Sequence, residues 1–130
     1  MNAEELKSAL AQHCGTQAYY RHSLISTFML TDGAMCFAEN AGGGAFWLFD
    51  ILATELAIRH LVKQRDIAFA TLTVANNKGK LTVAEDEGIA PVFSRNIEYT
   101  DCPEGEWKFF MQKHTENGKM HIVCMIPNEY

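Results

Sequence analysis

A chain of 130 residues, 48% hydrophobic and 21% charged, is long enough to bury one core and too apolar to stay disordered, so a single domain over 1–130 is expected. The formal net charge is −5, with 5 basic and 7 acidic residues in 1–66 and 6 and 9 in 67–130. Neither half is a cationic module, which argues against nucleic-acid binding, and the charge is too mild for mimicry of nucleic acid.

The opening "MNAEELKSALAQHC" has no positive n-region and no continuous apolar run, so it does not read as a secretory signal. Residues 3–13 predict a short helix: Leu6, Ala9 and Leu10 share one face, acids sit in the first turn, and Gly15 stops it. "ISTFML" and "AMCFAEN" flank Thr31-Asp32-Gly33. An Asp-Gly pair between apolar runs predicts a hairpin, with strands at about 26–31 and 34–39. Three glycines then lead into a predicted long helix at about 45–64. Trp47, Ile51, Ile58 and Val62 line one side of that wheel; Phe49, Leu52, Ala53 and Leu56 line another. Apolar residues on two sides predict burial on two sides. Asp50, Glu55, Arg59 and His60 interrupt the segment, so it is not a membrane span.

The remainder reads as strands. "NNKG" joins "IAFATLTVA" to "KLTVAEDE", and "TENGK" joins "EWKFFMQKH" to "MHIVCMI", with "PVFSRNIEYT" between the two hairpins. The near-continuous apolar run at 120–126 predicts a central strand covered on both faces. The expected class is α+β: an antiparallel sheet of about five to seven strands, with a long central helix and a short N-terminal helix packed on it.

The candidate site residues are Tyr19, Tyr20, Arg21, His22, Asp32, Trp47, Asp50 and Asp101. A tyrosine can donate a hydrogen bond, Arg21 can clamp an anion and His22 can act as a base. Set against this, "YYRH" also suits a corner that closes the fold, with Tyr20 and Arg21 tied to Asp50. A carboxylate in an apolar segment needs such a partner. The glycines at 42–44 could let an anion approach a helix start, or serve as a hinge. Trp107 could anchor the core or an interface. The acids at 85–87, and the acids from Glu98 to Glu106, lack calcium-loop spacing. Cys14, Cys36, Cys102 and Cys124 contain no Cys-x-x-Cys pair, so reduced thiols are expected. The set His13, Cys14, His22 and Cys36 matches no standard zinc spacing. No nucleophile signature, metal site or cofactor motif is recognised, so no catalytic residue is assigned.

Six stretches in order resemble a family of small uncharacterised proteins, a domain of unknown function, from bacteria, phages and plasmids. They are "GTQAYYRH" (15–22), "LTDG" (30–33), "FAENAGGGAFWLFDIL" (37–52), "LTVAEDEG" (81–88), "EYTDCP" (98–103) and "IPNEY" (126–130). Cys102 stands where that family's pattern has an aromatic residue. The resemblance implies no activity and transfers no catalytic residue; it implies a mobile-element setting. The expected function is non-enzymatic contact with a protein partner, including inhibition of a host defence system. A homodimer is compatible with the apolar helix. The expected location is the cytoplasm, without membrane contact. The alternative is a small-molecule or nucleotide-binding protein, or an enzyme, in which Tyr20, Arg21, His22, Asp50 and the glycines at 42–44 converge on one pocket.

Overall fold

The computed structural model describes residues 1–13, 15 and 17–130; Cys14 and Thr16 lie outside the described residues. The elements are α1 (Ala3–Ala11), β1 (Tyr19–Arg21), β2 (Phe28–Thr31), α2 (Asp32–Asn40), α3 (Phe46–Thr54), α4 (Leu56–Arg65), β3 (Ile67–Ala75), β4 (Lys78–Ala84), β5 (Phe93–Ile97), β6 (Gly105–Glu116), β7 (Lys119–Met125) and a 3-10 turn at Pro127–Glu129. Seven strands form one sheet in the order β1-β2-β7-β6-β3-β4-β5. The architecture is α+β, and among the described residues no helix is long and apolar enough to cross a membrane.

The sheet is mixed, not antiparallel throughout: β2 runs parallel to β7, with Phe28 opposite Ile122 and Leu30 opposite Cys124. This departure has the same origin as the failure of the expected hairpin at Asp32-Gly33. Residues 32–40 are a helix. Thr31 is its N-cap, accepting the Ala34 N–H through Oγ1 at 3.3 Å. The Glu129 carboxylate accepts the Gly33 N–H at 3.0 Å. A capping threonine followed by an acid in the first turn is a helix start. With no returning strand beside it, β2 takes β7 as its neighbour. Gly33 is required for close approach, not for a turn. A Cβ there would stand 2.6 Å from the Ile126 side chain.

The expected long helix is two helices, α3 and α4, broken at Glu55, whose backbone is extended at φ −73° and ψ 119°. The break resolves the two-sided wheel. α3 buries Leu48, Phe49, Leu52 and Ala53; α4 buries Ile58, Leu61 and Val62. At about 100° per residue those two sets lie roughly half a turn apart on a continuous helix. One extended residue turns both toward the same sheet. Thr54 Oγ1 donates to the Asp50 carbonyl at 2.6 Å, a back-bond that bends helices. Each helix leaves its other apolar side partly open: Trp47 of α3 is half-buried and Leu56 of α4 is 79% exposed.

The two anticipated hairpins are present. Asn76 and Asn77 close β3 to β4 at φ 53° and 60°, and Asn117 with Gly118 closes β6 to β7 at 52° and 77°. These values are what two-residue hairpin turns demand. β7 is buried from His121 to Met125, as its apolar run implies. The helices cover one face of the sheet, and the core lies between. At its centre Phe109 of β6 meets Phe37 of α2 edge-on at 5.0 Å and Phe49 of α3 at 5.5 Å. Trp107 packs 5.5 Å from Phe37 and donates its indole N–H to the Pro103 carbonyl at 2.8 Å, which makes it a core anchor. Phe109→Ala removes the ring common to both helices. It is expected to cost about 3–5 kcal/mol in denaturant unfolding; a loss below about 1 kcal/mol would show that the cluster repacks around the gap.

Candidate functional site

β1 is the edge strand, paired with β2 so that Tyr20 lies opposite Leu30, and Tyr19 and Arg21 lie opposite Thr31 and Met29. Side chains alternate across a strand. Tyr20 therefore belongs to the helix-bearing face with Leu30, and Tyr19 and Arg21 to the opposite face with Met29. The "YYRH" segment is split between two surfaces.

His22 is fixed by both ring nitrogens. Its Nδ1 accepts the backbone N–H of Leu24 at 3.1 Å and of Ile25 at 3.0 Å. Two donors aimed at Nδ1 make it the acceptor, so Nε2 carries the proton and donates to Asp50 Oδ1 at 2.7 Å. The ring is 8% exposed and packs edge-on to Phe28. A base needs a free lone pair facing a substrate; this lone pair holds the 22–25 turn instead. Asp50 pairs with His22, not with Arg21 or Tyr20, and its side chain is 54% exposed, not buried. Arg21 donates through Nη1 to the Ser26 carbonyl at 3.1 Å.

Asp32 faces away from its own helix. Its Oδ2 accepts the N–H groups of Gln17 at 2.8 Å and Ala18 at 3.2 Å, and the Tyr20 hydroxyl donates to it. The Gln17 hydrogen bond, helped by Ala18 and Tyr20, holds the Asp32 carboxyl below the usual carboxylate range. The hydrogen bond to Asp32 and the negative charge of that carboxylate push the Tyr20 hydroxyl up. On the other side of the α2 start, Glu129 accepts from Thr31 Oγ1 at 2.6 Å, from the Gly33 N–H and from the Ile126 N–H. Glu129 and Thr31 carry no sequence signal as a pair, because 98 residues separate them.

The glycine loop at 42–44 already holds an anion of this chain. The Gly43 N–H donates to Asp101 Oδ2 at 2.8 Å. Gly42, at φ 58°, leaves no room for a side chain, since a Cβ would reach within 2.6 Å of the Asp101 carbonyl. The structure therefore gathers Tyr20 with Asp32, His22 with Asp50, and Asp101 with the glycines, as separate contacts. It does not bring Tyr20, Arg21, His22, Asp50 and the glycines to one pocket. Trp47 packs against the core edge.

Of the His13, Cys14, His22 and Cys36 set, Cys14 lies outside the described residues. Among those described no group of three or more metal-ligating side chains occurs. Burial pushes the thiols of Cys36, Cys102 and Cys124 up, which disfavours the nucleophilic thiolate. Glu85 and Glu87 pair with Arg65 and Lys108 at 3.2 and 3.1 Å.

The largest concavity lies on the helix-free face and was not anticipated. It has a volume of about 760 Å³. Met29, Val123 and Met125 floor it, Tyr19 and Tyr130 wall it, and Gln112, His114 and Glu129 add polar groups. Tyr130 leans on Phe110 at 4.6 Å between ring centres. On the same face His121, opposite His114 in the register, is 8% exposed. Among the described residues its buried Nδ1 has no hydrogen-bond partner. The signal for this face was Val123 and Met125 at alternate positions of β7, which the reading of that strand as fully covered concealed.

A family model matches residues 4–130. The chain belongs to DUF6876, a family of unknown function. No curated protein and no solved structure matches it. In this member of DUF6876 the polar groups of the first third are held mainly by its own backbone, and the largest free concavity is apolar-floored.

Two outcomes test these assignments. His22→Ala is expected to cost about 1–3 kcal/mol in equilibrium unfolding. His22→Asn, whose Oδ1 can accept the same two N–H groups, should recover part of that loss. Equal losses for the two variants would show that the Nδ1 contacts do not hold the turn. Asp32 has a lowered folded-state pKa, so its stabilisation is present above the unfolded value and is lost as pH falls through the folded one. Thermal melting of Asp32→Asn should therefore fall less steeply than wild type as pH drops below about 4.

Proposed function

We propose that the protein works without chemistry of its own, by contact with a protein partner, and that the helix-free face of the sheet is the contact surface. The observation that carries this reading is the cleft floored by Met29, Val123 and Met125 between Tyr19 and Tyr130. Methionine side chains adapt to the shape of a partner, and tyrosines offer large area with a polar tip. A protein contact with an apolar centre, an aromatic frame and a polar rim has this composition.

A further observation supports it. The Nδ1 lone pair of His22 and the carboxylates of Asp32 and Asp101 are engaged by backbone N–H groups, so they are poorly placed to act on a substrate. The resemblance to small proteins of phages and plasmids makes a host protein, including a component of a defence system, the partner we propose. The second reading is a small ligand in the same cleft, favoured by its volume, which falls within the range of small-molecule sites.

Met29→Lys places a charge on the cleft floor without touching the helix-side core. A host protein that co-purifies with the wild-type chain and is lost with Met29→Lys and with Tyr130→Ala supports the proposal. Retention of the same protein by both variants would overturn it. Saturable binding of a nucleotide or metabolite pool, lost with the same variants, would favour the second reading.

A further inference from the structure

The cations of this acidic chain are unevenly placed. α4 contains Arg59, His60, Lys63 and Arg65 and no acid, in a chain with 16 acidic and 11 basic residues. Its outward side forms a shallow depression of about 480 Å³ lined by Leu56, Ala57, Arg59, His60 and Lys63. Leu56, Arg59, His60 and Lys63 recur at three- and four-residue spacing, so they share one helix face.

Arg59 Nη1 donates to Thr27 Oγ1 in the adjoining loop at 3.4 Å. The guanidinium is steadied by one neutral acceptor and retains further N–H donors. The acids that flank the helix are paired: Glu55 meets Arg95 at 3.6 Å, and Asp66 binds Lys113 at 2.6 Å. Among the described residues, Arg59 and Lys63 have no carboxylate partner. Unpaired cations between paired acids leave a local positive field on a negative protein.

We propose that the outward face of α4 binds an acidic peptide segment that also carries an apolar side chain. The Arg59 guanidinium suits carboxylates, which it holds through paired donors. Leu56, 79% exposed at the start of α4, gives an apolar residue a place to dock, which a phosphate backbone would not use. The net charge of −5 opposes a polyanion that wraps beyond this patch, while a short acidic segment stays within it. This surface is separate from the cleft on the helix-free face, and the proposal stands without that one.

The test is fluorescence anisotropy with a labelled peptide of repeating Glu-Glu-Leu-Glu, its Lys-for-Glu counterpart, and a short duplex DNA of mixed sequence. The wild-type chain is expected to bind the acidic peptide at low salt, to lose it as salt rises, and to bind the basic peptide and the duplex more weakly. His60→Glu with Lys63→Glu should weaken the acidic peptide about tenfold. Lys78→Glu with Lys80→Glu, a comparable charge change at the far end of the β3–β4 hairpin, should leave it within about twofold. Arg59→Ala should weaken it as well, and far-UV circular dichroism confirms that each variant is folded. No binding at low salt, equal loss in both reversal variants, or tighter binding of the duplex would each overturn the proposal.

Discussion

The edge-to-face contact of Phe109 with Phe37 and Phe49 is the constraint on which the rest of the fold depends. One ring on the longest strand fixes the seating of two helices at once. Aromatic pairs of this geometry hold more firmly than their area alone would give. Phe37 in turn meets Trp107 and Phe49, so α2, α3 and β6 share a single packed knot. With α2 seated, its N-terminus faces the segment after β7, and Thr31, Gly33 and Glu129 come together. With α3 seated, Asp50 faces the 22–25 turn and meets His22. The polar contacts of the first third follow from where the rings are.

Those contacts share one chemical habit. Carboxylates and the His22 imidazole satisfy stray backbone N–H groups at loops and helix starts. Asp32 serves residues 17 and 18, Glu129 serves 33 and 126, Asp101 serves 43, and His22 serves 24 and 25. Backbone groups shielded from water must be paired, and Asp32, Glu129 and Asp101 do this across long stretches of sequence. The residues that look most like chemistry in the sequence are mainly the ones that hold loops in place. The surfaces left free are an apolar-floored face and a cationic helix, and both are suited to contact.

Much of the second half of the chain was legible from its sequence. Asn-Asn and Asn-Gly turns need positive φ, and alternation of apolar residues sets strand faces, so the two hairpins followed locally. The first half was misread where local rules compete. Asp32-Gly33 satisfies the hairpin pattern, yet Thr31 satisfies a helix cap, and only Glu129, distant in sequence, decides between them. The break at Glu55 involves no glycine or proline; it follows from two apolar stripes that must face one sheet. The pairing of the candidate residues was not legible, because Asp50 meets His22 across 28 positions and the choice among Tyr20, Arg21 and His22 depends on strand alternation. The cleft was missed because β7 reads the same whether one face or both are covered.

The parallel neighbour of β2 is supplied by residues 122–124, and the clasp on α2 by residue 129. During synthesis on the ribosome, β1, β2 and α2 therefore emerge long before the strand and the carboxylate that hold them. Residues 28–40 must wait with an unpaired strand flank until residues 122–129 are released. Joining segments so far apart is slow compared with closing the local hairpins. The later-made β7 must therefore be stitched to the earlier-made β2, and a chain interrupted before β7 would leave the flank of β2 open to other strands.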